Sequence, residues 1–325
     1  VTIRWGIAGT GAIAASFAAT IREMPGAAVA AVASADPERA AAFAADHGIR
    51  IGVAPHEALA EAAGLDAVYV AATNERHEGA SVACLDAGIP VLCEKPIALS
   101  SAQAGRMITA ARRTRTFFME AWWSRFLPFF GEIERIVSSG ELGPVRWLQA
   151  DLGFPAAPSP GGRLWAPERG GGALLDIGIY PLSLAHALLG PPEETRAVAE
   201  ITDGGIDAQT AVVARHAGGA VSVLSASLTA DTGVEATIAG ARGRIRVEAP
   251  FHHAPLISLH RAGSIIEVRD TSFEGSGYRF EVEEVHRCLS AGLVESPRRP
   301  HADTLAVMRW MDDVRRGVGV RYPGE

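Results

Sequence analysis

Three stretches carry residue types that could do chemistry. In Val91-Leu92-Cys93-Glu94-Lys95-Pro96-Ile97 an apolar run ends abruptly in an acid, a base and a proline. Proline cannot continue a strand ladder and turns Lys95 away from helical backbone angles. The run therefore reads as a short buried strand with an ammonium at its C-terminal edge, where open α/β sheets bind ligands; the alternative is a surface Glu-Lys pair beside a turn. The second stretch is Gly9-Thr10-Gly11-Ala12-Ile13-Ala14. It is a G-x-G-x-x-A run whose glycines allow a tight turn and close backbone approach to a pyrophosphate, with a helix N-terminus behind it. The third is Gly170-Gly171-Gly172 followed by Asp176 and Tyr180. At that spacing a carboxylate and a phenol share one helix face, and Pro181 strains the helix just beyond them.

The elements that must position these residues follow from pattern. Ile3–Ala8 is a strand and Ala12 to Glu23 a helix. Ala28–Ala33 is a second strand, followed by Ser34-Ala35-Asp36-Pro37 and a helix from Glu38 to about His47. The residue just after that second strand decides the ribose chemistry: a carboxylate suits NAD, and its absence leaves room for a 2′-phosphate. Ser34 stands there, without a charge. Asp36 is placed to cap the next helix with Pro37 at its first position, and Arg39 is within reach of a phosphate. These residues favour NADP(H), with NAD(H) as the other choice. A third strand over Ala67–Ala72 leads to Thr73, Asn74 and His77 at the same sheet edge. Asn74 reads as a helix cap or a ligand contact, and His77 as a ribose contact or a surface histidine of the first helical turn. The following helix runs through Val82 to Ala87.

After a helix from Ser100 to Arg113 and a strand at Phe117–Met119, the aromatic run Trp122-Trp123-Ser124-Arg125-Phe126-Leu127-Pro128 looks like a seam between two domains. Beyond Gly140 the pattern changes to a strand at Val145–Leu152, a Pro/Gly loop from Phe154 to Gly172 carrying Arg163 and Trp165, the Asp176/Tyr180 helix, and meander strands with intervening glycine turns. Two helices, Tyr278–Ala291 and Asp303–Arg316, finish the chain. His252-His253 has no third partner at ligand spacing, so no metal site is expected.

Composition narrows the function classes. A chain of 325 residues with nearly half apolar suits two domains. Net charge is −7 with no basic block, which speaks against nucleic acid or an anionic membrane as partner. Cys84, Cys93 and Cys288 show no metal or disulfide spacing, which fits a reducing cytoplasm. No leader is expected ahead of the strand at Ile3, and no apolar run is expected to span a bilayer.

Taken together, Gly9-Thr10-Gly11, Glu94-Lys95-Pro96 and the Asp176-to-Tyr180 helix resemble the glucose–fructose oxidoreductase / inositol dehydrogenase (Gfo/Idh/MocA) family over nearly the whole chain. The resemblance implies an N-terminal doubly wound Rossmann domain, residues 1–121, and a C-terminal α+β domain on an open, mostly antiparallel sheet, residues 122–325, with the last helix packing back on the first domain. In this family the helix motif usually ends in histidine; Tyr180 at that position, with the Trp123–Pro128 run, is similar to the branch of dimeric dihydrodiol dehydrogenases and NADP-dependent D-xylose dehydrogenases. That branch tends to carry arginine after the second strand, where this chain has Ala35. The resemblance implies cofactor contacts from Gly9, Thr10, Gly11, Ala12, Ile13, Ser34, Ala35, Arg39, Ala72, Thr73, Asn74, His77, Glu94, Lys95, Pro96, Trp123 and Arg125. It implies substrate contacts from Lys95, Arg163, Trp165, Asp176 and Tyr180, and a homodimer through the C-terminal sheet, since a bare apolar sheet face is a liability.

The expected reaction is hydride transfer between a nicotinamide and a secondary alcohol or hemiacetal of a sugar, polyol or cyclic diol. A base must reach the hydroxyl proton as the hydride leaves. A free phenol titrates near 10, so Tyr180 needs a cation such as Lys95 beside it to stabilise phenolate, with Asp176 orienting the substrate hydroxyl or the lysine. The rivals are a dinucleotide-binding sensor without turnover and a relative that uses its cofactor for transient redox in glycoside cleavage.

Overall fold

Uninterrupted apolar runs such as Val68–Val70 and Val91–Cys93 suit strands covered on both faces, and these strands lie inside a six-stranded parallel sheet. The structure is a computed structural model that describes residues 2–62, 64–159 and 161–323; Pro160 of the Pro/Gly loop lies outside them. The chain divides into two units. The first comprises the residues up to Trp123 together with Gly275–Leu305, and the second comprises Ser124–Glu274 and the residues from Ala306 on.

The first unit alternates β1 (Ile3–Ala8), α1 (Ala12–Glu23), β2 (Ala27–Ala33), α2 (Pro37–His47), β3 (Ile51–Val53), β4 (Ala67–Val70), α3 (His77–Asp86), β5 (Val91–Glu94), α4 (Ser101–Thr114) and β6 (Phe118–Ala121). Its strand order is β3-β2-β1-β4-β5-β6, and every pairing is parallel. The order reverses between β1 and β4, so the loops after these strands flank the crevice where such folds take ligands. The strand expected third is therefore β4 and ends at Val70. The three-residue edge strand β3 was too short to show as a pattern. Trp5, Phe17 and Tyr69 fill the core beneath the β1–α1 loop, with ring centroids 5.3 Å apart for Trp5 and Phe17 and 3.8 Å for Phe17 and Tyr69.

The second unit contains α5 (Pro128–Ser139), β7 (Val145–Gly153), α6 (Ile179–Leu189), β8 (Pro192–Ile201), β9 (Asp207–His216), β10 (Val221–Ser227), β11 (Ala236–Gly240), β12 (Gly243–Val247), β13 (Leu256–Arg261) and β14 (Ser264–Asp270). They form an eight-stranded sheet of order β14-β13-β12-β11-β7-β10-β9-β8. The sheet is not a pure meander: β7 and β10 pair in parallel at its centre. Strict alternation along β9 buries Ala208, Thr210, Val212 and Ala214 and exposes the residues between them. The buried face carries α6 and the turn before it, which pack on β7, β9 and β10; the other face is open, with Trp147, Val198 and Val213 exposed.

Next comes α7 (Tyr278–Ser290), which joins the first unit against α1, Trp5 Nε1 donating to His286 at 3.2 Å. Then α8 (His301–Val318) begins in the first unit and continues in the second. The division thus falls after Trp123, and it is α7 with the start of α8 that belongs to the N-terminal unit. Pro167–Leu189 is long and apolar enough, by length and composition, to cross a bilayer; 83% of its most apolar window is buried inside the protein, as in a core helix.

Candidate active site

The loop after β1 shows two different needs for glycine. Gly9 has φ +135°, and a Cβ there would stand 2.3 Å from the Ala71 carbonyl oxygen, so the crossing of the β1 and β4 loops admits no side chain. A Cβ on Gly11 would meet nothing within 4 Å. Gly11, Ala12 and Ile13 are exposed, α1 has no side-chain cap, and its first turn carries no acid. Its leading N–H groups and positive dipole end therefore face open space, which fits a dinucleotide pyrophosphate.

At the end of β2, Ser34 is 2% exposed. Its hydroxyl accepts from Thr10 Oγ1 at 3.4 Å and from the Asp36 amide at 3.3 Å, tying the first two βα loops together. Asp36 caps α2 by accepting from the Glu38 amide at 2.9 Å, with Pro37 in the first turn. Ala35 is exposed, and Arg39 lies on the surface 3.5 Å from the Asp36 carboxylate. Oδ1 of Asp36 thus serves the α2 cap, while Oδ2 faces Arg39.

At the β4 end two expectations are corrected. Asn74 does not cap α3; it opens a short 3₁₀ turn, Asn74–Arg76, and is buried, while Thr73 Oγ1 bonds Glu75 at 2.6 Å. His77 is no surface residue: it is 1% exposed, with Nδ1 2.9 Å from the Pro96 carbonyl and Nε2 3.1 Å from that of Ala72. Burial lowers its pKa while the two carbonyls pull the other way. The ring ties the β4 loop to the Lys95-Pro96 turn.

Lys95 is half-buried at the end of β5. Its amide donates to Glu94 Oε2 at 3.0 Å, and Tyr69 donates its hydroxyl to Glu94 Oε1. Burial, then the nearby Glu94 and Glu281 charges, hold the Tyr69 phenol well above its ordinary pKa, so it remains a donor. Beyond Pro96, the Ile97 amide bonds Glu120 at 3.3 Å. Glu120 also accepts from Arg299 Nε at 3.1 Å and Thr304 Oγ1 at 3.0 Å. The Arg299–Glu120 pair is nearly inaccessible, 2% and 1% exposed, and losing either partner would strand a buried charge. Trp123 stacks on Tyr278 with centroids 5.4 Å apart. Arg125, expected at the cofactor, pairs with Glu134 at 2.6 Å and lies over the Phe130 ring at 4.6 Å.

In that unit, Asp176 and Tyr180 are buried, 5% and 8% exposed. The expected helix continues without a break: Leu174–Gly178 is a π-helical turn that runs on into α6 at Ile179, with right-handed helical backbone at the junction. Pro181, which lacks the N–H of a ladder bond, follows directly on this turn; π turns of this kind recur at functional sites. Arg163, half-exposed on the Pro/Gly loop, pairs with Asp176, its second nitrogen 3.5 Å from Oδ2. Trp165 is half-buried on the same loop. His252 leans on Tyr180 with centroids 5.0 Å apart. His252 was weighed only as a metal ligand, and two residues escaped the sequence reading: Glu281 near Glu94, and Asp207, whose Oδ2 accepts from the Leu174 amide and Thr210 Oγ1, each at 2.7 Å. Asp207 follows Gly204-Gly205-Ile206 in what reads as an ordinary turn, so only the fold reveals it.

Comparison with known proteins agrees with this geometry. Residues 3–121 match the model of the oxidoreductase family with an NAD-binding Rossmann fold, and residues 130–246 match the GFO/IDH/MocA C-terminal domain. The chain is 35% identical to a trans-1,2-dihydrobenzene-1,2-diol dehydrogenase of Danio rerio over 99% of this chain and 98% of that protein. It is 33% identical to one of Xenopus laevis, with 98% and 99% covered. Among solved structures it is similar to a 3-ketoreductase from Actinomadura kijaniata in complex with NADP and TDP-benzene, with TM-score 0.87, 26% identity, and 99% and 100% of the two chains covered. Two family models in the right order and full-length relatives above 30% identity lead to one conclusion: the chain belongs to the Gfo/Idh/MocA family of oxidoreductases, with an NAD-binding Rossmann domain at its N-terminus.

Proposed function

We propose that the chain is an NADP(H)-preferring dehydrogenase acting on a secondary alcohol or hemiacetal of a sugar, polyol or cyclic diol, in which Lys95, Asp176 and Tyr180 act on one substrate. The observation that carries the reading is a carboxylate and a phenol kept together in the otherwise apolar segment Ala173–Leu182, with Arg163 holding the carboxylate. The curated relatives named above act, by name, on a dihydrodiol, which is the class of vicinal diol such a pair suits.

Gly9, Thr10, Gly11, Ala12 and Ile13 hold the pyrophosphate, and Ser34, Ala35 and Arg39 frame the 2′ position. When bound, the dinucleotide supplies a nicotinamide that accepts or returns a hydride. Tyr180 exchanges the proton of the reacting hydroxyl. Lys95 supplies positive charge where negative charge develops on oxygen. Asp176, fixed by Arg163, accepts a hydrogen bond from the substrate and so sets which hydroxyl reaches Tyr180. The preference for the phosphorylated nucleotide rests on the uncharged β2 end, where Asp36 is committed to the α2 cap. The open sheet face carrying Trp147, Val198 and Val213 suits pairing with a second copy, in a cytoplasmic homodimer.

The test is a fluorescence titration of cofactor-free protein with NADPH and NADH, followed by a nicotinamide absorbance assay on a panel of aldoses and cyclic diols. Tighter NADPH binding with turnover of a member of the panel is the expected result. Binding without turnover on the whole panel would contradict the dehydrogenase reading.

A further inference from the structure

Asp207 stands at the first residue of β9, 1% exposed, and faces the polar start of the segment that carries Asp176 and Tyr180. Its Oδ2 accepts from the Leu174 amide and from Thr210 Oγ1, each at 2.7 Å. Its Oδ1 is buried with no hydrogen-bond partner and lies against Gly172, whose φ is +122° and on which a Cβ would stand 2.3 Å from that oxygen. Nothing larger than glycine leaves room for the carboxylate there. The other groups facing this corner come from α8 and the segment after it. Arg315, ion-paired with Asp312 at 2.6 Å, contributes positive charge. Tyr322 lies under the Arg315 guanidinium and donates to the Gly171 carbonyl at 2.8 Å.

We propose that Asp207 is a positioning residue for the reaction: in its ionised form it anchors the start of the π-helical turn and so fixes Asp176 and Tyr180, and on protonation it lets that turn loosen. The proposal rests on the assignment of Asp176 and Tyr180 made above. Leu174 is the first residue of the turn, and its N–H is one of the leading donors that a helical segment cannot satisfy itself. A carboxylate accepting it makes a charge-assisted bond, about twice as strong as a neutral one. Burial pushes the Asp207 pKa up to about 6, against the hydrogen bonds from Thr210 and Leu174 and the Arg315 charge, which pull it down. The carboxylate therefore changes charge in mildly acid solution, and a proton arriving at Oδ1 meets no acceptor.

The experiment is amide hydrogen exchange of peptides covering residues 172–180, corrected for the intrinsic pH dependence, run beside the pH profile of kcat. In the wild-type protein, protection of this segment should fall about tenfold below about pH 6, with kcat falling at the same midpoint. Asp207→Asn keeps an acceptor but cannot titrate, and should abolish both dependences. Thr210→Val removes one bond to the carboxylate and should move both midpoints up by about one pH unit. Protection that is equal on both sides of the midpoint overturns the proposal. A dependence that persists in Asp207→Asn does the same, and if that variant does not fold, an unmoved midpoint in Thr210→Val does so alone. A shift in exchange without turnover on any substrate upholds the anchoring by Asp207 and contradicts the dehydrogenase reading; turnover whose acid limb survives in Asp207→Asn contradicts the proposal and spares the reading.

Discussion

The end of β1 and the turn before α6 both present polar atoms at the margin of an apolar layer, and they do it by opposite means. At Gly9–Ile13 the backbone supplies the polar atoms: bare glycines, an uncapped helix start and no charge within the turn. At Gly172–Tyr180 side chains supply them: Asp176 clamped by Arg163, Asp207 holding the Leu174 amide, and a phenol under His252. On the proposed function the difference follows from the task. A dinucleotide pyrophosphate is a fixed anion, best met by N–H groups that never titrate. A hydroxyl that must lose a proton needs groups whose charge can change. Substitutions in the first region should therefore act through shape and appear in nucleotide affinity, and those in the second should act through charge and appear in turnover.

Lys95 tests where that line falls, because it sits in the first unit and is assigned to the chemistry. Lys95→Ala should lower kcat by roughly 10³-fold while leaving the NADPH dissociation constant within about threefold; parallel loss of both would move Lys95 to the nucleotide side. Within the glycine loop, Gly9→Ala forces a Cβ onto the Ala71 carbonyl and should cost about 3 kcal/mol in denaturant unfolding. Gly11→Ala should leave stability nearly unchanged and weaken NADPH about tenfold by filling the open cradle.

Glu281 sharpens the contrast from the other side, as a buried carboxyl in the backbone-built unit. It is inaccessible, neither oxygen has a hydrogen-bond partner, and burial and then Glu94 push its pKa well above the ordinary value. Its folded pKa lies above its unfolded one, so the stability it contributes is complete below the unfolded pKa, about 4.3, and declines as pH rises through the window between the two. Glu281→Gln should therefore raise Tm at about pH 8 and do nothing at about pH 4, as differential scanning calorimetry would show. The smallest effect is expected at Asp36. Asp36→Ala removes the α2 cap and should cost about 1 kcal/mol, with NADPH affinity changed less than by Gly11→Ala.

What could be read ahead of the structure was local. The glycine loop, the charge-free β2 end, the Asp36 cap and the Lys95 strand end each depend on residues a few positions apart, so pattern alone exposes them. Helix α5 carries its signals in Pro128 at its start and Gly140 as its left-handed cap, but the aromatic run beside it masks them. His77 misled for another reason: its two carbonyl partners, Ala72 and Pro96, come together only when β4 and β5 pair. Asp207 and Glu281 were invisible because their significance lies in atoms that distant segments place against them, and neither sits in a motif. The Asp176–Tyr180 spacing was legible, but the π turn was not, since Pro181 signals a break without saying how the backbone absorbs it.

The central claim is that Tyr180 exchanges the substrate proton in a protein whose nucleotide site is built separately. Comparing Tyr180→Phe with the wild type tests it most directly, by NADPH fluorescence titration and by turnover of whichever diol or aldose the wild type accepts. The expected result is an unchanged dissociation constant with turnover lowered by roughly 10²- to 10⁴-fold. Full turnover in Tyr180→Phe would contradict the account and leave Lys95 as the acid–base candidate.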